Sequence, residues 1–450
     1  MIHIKNKIFY ILLFVFIIVN FTWCYTSKFP KLSKKHKPKS ENILIIDEYN
    51  EKENEINEND LIYKSENIPI KYWADGEKNE LKDKVSQDLD DEINVSSSTS
   101  YAFTNFYDQL NEDEKEFYNI IYKSSIKQYP DLNIKIVVSG INNLDAFIEE
   151  FSESSERFFT ALAYDNPELW WIGSYQIGLN SSIKKYQYII TFDLTPEDST
   201  FYGITNKKIS KINEEIENEK KNIMNQIASM KLTTNYAILR FIHDYLITNI
   251  IYNLDESKLH IRTLYGALVE KQCVCEGYAE AFQYIAQQYG INVIIARSSV
   301  HEWNFVEMNR KWYIIDVTYD DPIIGEINLP SGYNDNLQLD YFLTGSEHKC
   351  DYYLKYSEDP DHILVYSGYS ENHVVEYPEI EIQDYVPTEL ELRELELIDL
   401  SNITNPEPFS YSEMIDSNYN STNTKNTSNA ITNKISYSLL IMLLLLNVLF

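Results

Sequence analysis

The chain has 450 residues, 44% of them hydrophobic and 14% aromatic, which is enough apolar material for two domains and a sizeable core. Its formal net charge of −30 argues against a nucleic-acid partner, because neutralising phosphates takes lysine and arginine in excess. A solvated, acidic surface fits the charge better.

At the N-terminus, Lys5 and Lys7 precede an apolar run over 8–19, and Thr22 and Cys24 fall at the −3 and −1 positions of a signal-peptidase site. Residues 1–24 therefore read as a signal peptide. The next stretch, 25–100, opens rich in lysine and turns strongly acidic. Apart from 43–46 it shows little periodicity, so it reads as a disordered acidic linker.

From Tyr101 the pattern changes. Phe106, Leu110, Phe117, Ile120 and Ile121 fall near one helical face, with an acidic helix start over 111–114. Strands are expected over 134–138, 170–172 and 186–192, and a helix over 144–163. Residues 101–205 thus read as a small N-terminal α/β accessory domain. A second domain is expected over 206–385. It opens with a long helix whose Ile209, Ile212, Ile216, Ile223 and Ile227 make a packing stripe. Another helix follows over 236–246, in which His243 reads as a packing or capping histidine.

The chemistry concentrates in 263–322. Tyr278, Phe282, Ile285 and Tyr289 recur at helical spacing after Cys275, and Gly290 is placed to end that helix. Cys275 then sits at a helix N-terminus, where unpaired N–H groups and the dipole favour a thiolate and offer part of an oxyanion hole. Strands are expected over 292–296, 303–306 and 312–317, with a polar turn at 308–311. His301 and Asp316 would face each other across that hairpin. Cys, His and Asp in this order match thiol nucleophilic catalysis: the sulfur attacks, the imidazole moves the proton, and the carboxylate holds the ring. Trp303 either lines a substrate channel or packs in the core, and Tyr265 is a candidate oxyanion donor. Asp320 and Asp321 read as structural acids at a strand end. His348, His362 and His373 follow without any matching pattern.

With the signal peptide removed, Cys273, Cys275 and Cys350 remain, an odd number for an oxidising compartment. A Cys273–Cys350 disulfide would leave Cys275 free. A zinc site on Cys273, Cys275 and His301 is the less favoured alternative. Past 386 the chain is acidic and then rich in Asn, Ser and Thr, so 386–430 reads as a stalk. Residues 431–450 end in an apolar run too short to span a bilayer comfortably, preceded by small polar residues. That ordering reads as a GPI signal with attachment at Asn426 or Ser428; a C-terminal tail anchor is the alternative. Asn94, Asn180, Asn402, Asn420 and Asn426 lie in glycosylation sequons. Together these features predict a secreted, GPI-anchored protein at the cell surface, touching the membrane only through its C-terminal anchor.

Three runs, Cys-Glu-Gly-Tyr-Ala from Cys275, His-Glu-Trp-Asn from His301 and Asp-Val-Thr-Tyr-Asp-Asp-Pro from Asp316, together resemble the transglutaminase-like superfamily, a papain-like group. The resemblance covers about 230–345, including the helix 241–246 and the strand 341–343. It extends more loosely back to about Tyr101, and the turn 165–170 resembles a motif of the accessory region that often precedes this core. It implies an α+β, papain-like core in which a helix carrying Cys275 packs on an antiparallel sheet carrying His301 and Asp316, these three forming a catalytic triad. It also implies acyl transfer on glutamine side-chain or peptide amides, by cross-linking or hydrolysis, with a protein or peptide substrate such as a cell-wall protein. No cofactor and no metal are required by that chemistry. Two departures stand out. Only 26 positions separate Cys275 from His301, so a glycine-rich excursion common in the family is missing. Glu302 stands where a small residue is usual, and would either raise the imidazole pKa or point to solvent. The alternative reading is a non-catalytic module of the same fold that binds protein or cell wall. A third is a structural surface protein in which linker and stalk do the work.

Overall fold

The structure is a computed structural model that describes residues 44–49, 56–70, 104–182, 184, 186–321, 337–349, 354–370 and 372–401. These all fall in one compact unit, Leu44–Phe450. The expected signal peptide, most of the stalk, the anchor signal and the sequons at Asn94, Asn402, Asn420 and Asn426 lie outside the described residues, as does Cys350.

The first half of the described chain is an antiparallel sheet with two helices. β1 (Ile45–Glu48), β2 (Ile56–Lys64) and β3 (Ile68–Pro69) come from the stretch expected to be linker. They are followed by α1 (Glu112–Ser125), β4 (Asn133–Ser139), α2 (Leu144–Asp165), β5 (Ser174–Ser182) and β6 (Gln187–Asp193). The sheet order is β1-β4-β6-β5-β2, with β3 also pairing β5. The linker expectation is corrected here. Strand pairing with β4 and β5 supplies backbone hydrogen bonds that weak local hydrophobicity does not reveal. Residues 170–172 are also not a strand. Trp170 ends a short 3₁₀ turn at Pro167–Leu169, and Trp170, Trp171 and Ile172 are buried before β5 begins.

α1 begins with a capping box in which Asn111 and Glu114 satisfy each other's backbone amides. α3 (Asn206–Met230) buries the expected isoleucine stripe in full, and α4 (Asn235–Asn249) follows it. Two short strands, β7 (Ile251–Tyr252) and β8 (Gln272–Cys273), pair in parallel. Between them runs a single π-helical turn, Gly266–Glu270. α5 (Cys275–Gln287) then packs on a second antiparallel sheet of order β12-β11-β10-β9. Its strands are β9 (Val293–Arg297), β10 (Glu302–Met308), β11 (Lys311–Ile315) and β12 (Phe342–Thr344). Asn309 and Arg310, at φ +54° and +64°, make the two-residue hairpin between β10 and β11.

The fold is therefore mixed helix and antiparallel sheet, α+β. One hydrophobic cluster joins Ile136 and Phe192 of the first sheet to Phe305 and Ile315 of the second. Polar side chains fix α5 in place. Asn304 Nδ2 donates to the carbonyl of Ala279 at 3.1 Å, and Gln283 Nε2 donates to Tyr164 O at 2.9 Å and Val293 O at 3.2 Å. The acidic segment after 386, expected to be stalk, instead forms α6 (Glu389–Leu395) and docks on α4. Glu394 accepts from the backbone amides of Thr233 and Thr234 at 3.0 and 2.8 Å, capping α4 from another helix. Among the described residues, no helix is long and apolar enough to cross a membrane.

Candidate active site

Three elements bring the site together. Val274 is the N-cap of α5 and offers no side-chain cap; the Gly277 amide turns back to Val274 O at 3.0 Å, which leaves the amides of Cys275 and Glu276 as the donors of the first turn. Gly277 allows that turn to seat: a Cβ there would lie 2.5 Å from Cys273 Cβ and 2.7 Å from its Sγ. Ser298 shapes the turn into β10. Its hydroxyl accepts from the amides of Val300 and His301 at 3.2 and 2.9 Å, and its own amide donates to His301 O at 2.9 Å. His301 thus sits immediately before β10. Asp316 sits immediately after β11, which ends at Ile315 rather than continuing to Val317. Beyond Ile315 the backbone turns: Asp316 Oδ1 accepts from Tyr319 N at 3.0 Å, and Asp316 O accepts from Asp320 N at 3.1 Å.

His301 Nε2 lies 2.6 Å from Asp316 Oδ2. With that nitrogen committed, Nδ1 is the one left to act on the Cys275 thiol, whose interaction with the imidazole raises the His301 pKa and lowers that of Cys275. All three side chains are buried. Burial pulls the His301 imidazole down, but the Asp316 carboxylate and the thiol outweigh it and hold its pKa up at about 10. Burial would raise the Asp316 carboxyl, yet the paired imidazoles hold it well below the carboxylate range. Cys275 is pushed above the ordinary thiol value, first by burial and then by Glu276; the His301 contact opposes both. The thiol donates to Glu276 Oε2 at 3.1 Å, and Arg262 Nη1 holds the other carboxylate oxygen at 2.6 Å.

A fourth residue, absent from the sequence pattern, completes the group. His362 Nε2 lies 3.0 Å from the same Asp316 oxygen, and His362 Nδ1 lies 3.1 Å from Asp359 Oδ2. The only local signal was the run Asp359-Pro360-Asp361-His362, an N-cap and Pro-led turn with a histidine at its end.

The remaining expected residues fall as follows. Trp303 is buried and stacks on the His301 ring, centroids 5.7 Å apart at 14°. Tyr265 points elsewhere, its hydroxyl donating to Glu215 Oε2 at 2.7 Å and its ring against His260. Glu302 does not reach solvent, a correction to that alternative: it is buried, 3.8 Å from Arg297 Nε. Asp320 accepts from Tyr341 N at 2.9 Å and pairs with His243 Nε2 at 3.0 Å, while Asp321 accepts from Tyr278 OH at 2.8 Å. Both acids are spent inside the fold. Cys273 is a free buried thiol, and Cys350, its suggested disulfide partner, lies outside the described residues. Asn180 is paired within β5 and only 9% exposed, leaving its amide little access to a glycosylating enzyme in the folded chain.

Among the described residues, the ligand atoms that cluster tightly enough for a metal ion belong to His301, Asp316 and His362, within 4.8 Å of one another. The 2.6 and 3.0 Å separations are hydrogen-bond lengths, with both imidazoles directed at one carboxylate oxygen.

No family profile matches the chain, and no curated protein does. Among solved structures, one described as "Crystal structure of a TGase" matches at TM-score 0.22 and 14% identity, over 46% of this chain and 57% of that one. So partial a likeness leaves the functional reading to rest on the site itself.

Proposed function

We propose that the chain is a thiol-dependent acyl-transfer enzyme with a transglutaminase-like core, in which Cys275 is the nucleophile, His301 the acid–base group and Asp316 its orienting carboxylate. The observation that supports this reading is the His301 imidazole, 2.6 Å from the buried Asp316 carboxylate and electrostatically coupled to the Cys275 thiol at a helix N-terminus. The Cys275 sulfur attacks an amide carbonyl of a glutamine side chain or a peptide. The carbonyl oxygen takes up the electron pair facing the first amides of α5. As the tetrahedral adduct collapses, the C–N bond breaks and His301 gives its proton to the departing ammonia or amine. The thioester is then cleaved by a primary amine or by water, which loses its proton to His301 as the C–S bond breaks.

A secreted, surface-held protein belongs to the same proposal and is supported by the sequence of its two ends. Incubating the ectodomain with a glutamine peptide and a labelled primary amine, then reading products by mass spectrometry, tests the chemistry. Amine incorporation or deamidation should fall by about 10²–10⁴-fold in His301→Ala and vanish in Cys275→Ala. Turnover persisting in Cys275→Ala would overturn the reading.

A further inference from the structure

His362 is brought to the site by backbone pairing. Leu364 bridges Ser298 in antiparallel fashion, and Val365 N donates to Arg297 O at 2.9 Å, so 359–365 is laid along the edge next to β9. Asp359 caps the short Pro360–His362 turn, accepting from Asp361 N at 2.9 Å. It also meets the histidine's Nδ1. The ring is almost fully buried, with a carboxylate at each nitrogen.

An imidazole whose two nitrogens each face a carboxylate oxygen has donors required at both, and that is the charged form. The titratable groups facing it are Asp316, Asp359, His301, Tyr319, Tyr341 and Tyr356. The three tyrosine rings stand 4.9–5.4 Å away and the His301 ring 5.4 Å away, edge to face at 78°. Aromatic faces at these distances favour a cation.

We propose that His362 is a positioning residue: a buried imidazolium, clamped by Asp359, that shares one oxygen of Asp316 with His301 and so loosens the carboxylate's hold on the His301 proton. The inference rests on the reading of His301 as the proton-moving group. Burial opposes the charge on His362, but the two carboxylates prevail and raise its pKa. An acid shared between two cations stabilises each less than it would stabilise one alone, and a second positive charge nearby favours the Cys275 thiolate. The reacting unit is then a chain of five groups, Cys275, His301, Asp316, His362 and Asp359.

Nitrogen-15 NMR of the histidine-labelled protein tests this without turnover. In the unaltered protein, His362 should carry protons on both nitrogens at neutral pH. In His362→Gln, the His301 titration should move up by about one pH unit, with the Cys275 alkylation profile moving the same way. Asp359→Asn should make His362 lose its second proton at lower pH. A merely structural histidine would change melting without moving His301. The proposal is overturned by a neutral His362 at pH 7 in the unaltered protein, a reading that needs no variant, or by a folded His362→Gln with an unmoved His301. A protein that shows these shifts but transfers no acyl group would instead sink the proposed function and leave this inference standing.

Discussion

The carboxylate of Glu276 lies 3.1 Å from the sulfur of Cys275, its neighbour in sequence, and the guanidinium of Arg262 holds the other oxygen at 2.6 Å. Burial raises the Cys275 pKa, and an anion beside the proposed nucleophile works against the thiolate as well. The His301 imidazolium, meanwhile, persists to a pKa of about 10. At neutral pH the site therefore rests as thiol plus imidazolium, one proton above the thiolate–imidazolium pair that the proposed attack requires. Activity should climb with pH as Cys275 loses its proton, on the alkaline side of an ordinary thiol, and fall near pH 10 as His301 loses its own. In Glu276→Gln the rising limb should shift down by about one pH unit, measured as kcat/KM against pH. A limb that stays put would show that Glu276 does not set the thiol.

Gly277 gives a packing test. Its missing Cβ leaves room for Cys273 at 2.5 Å, with Thr263 O at 3.2 Å. Gly277→Ala should destabilise the fold by about 1–3 kcal/mol in chemical denaturation. Adding Cys273→Ala should not restore it, because the clash is with the Cβ that alanine keeps. Full rescue by that double change would contradict the close approach.

Glu394 gives a stability test with a definite pH direction. Burial would raise its carboxyl, but four donors from Thr233 and Thr234 bring it down to about 2. A depressed folded pKa means stability that is present above the unfolded carboxyl value and lost as pH falls towards 2. Glu394→Gln should lower stability by about 1–2 kcal/mol at neutral pH, and the difference from the unaltered protein should shrink between about pH 4.5 and pH 2. A pH-independent difference would show that the charge on Glu394 contributes nothing.

What the sequence made legible follows from how local each signal is. α5 could be read because its apolar residues recur every third or fourth position; it ends at Gln287, and Gly290, at φ +70°, closes the turn that follows rather than the helix itself. The β10–β11 hairpin was visible because two strand-like runs and the polar turn between them lie within one short stretch. His362 was not, because it is one residue of a three-residue turn whose place depends on the bridge from Leu364 to Ser298. β1, β2 and α6 were missed for the same reason. Their own residues mix acids with a few apolar side chains and carry no sustained period, and a partner far along the chain decides their conformation.

The most direct measurement of the central claim is the rate at which iodoacetamide modifies Cys275 from about pH 7 to pH 10, mapped by peptide mass spectrometry. Cys273, two residues away and also a free buried thiol, serves as the internal reference. The account predicts a Cys275 rate that rises with pH, exceeds that of Cys273 throughout, and drops at least about tenfold in a folded His301→Ala variant. Equal rates at Cys275 with and without the imidazole would contradict it.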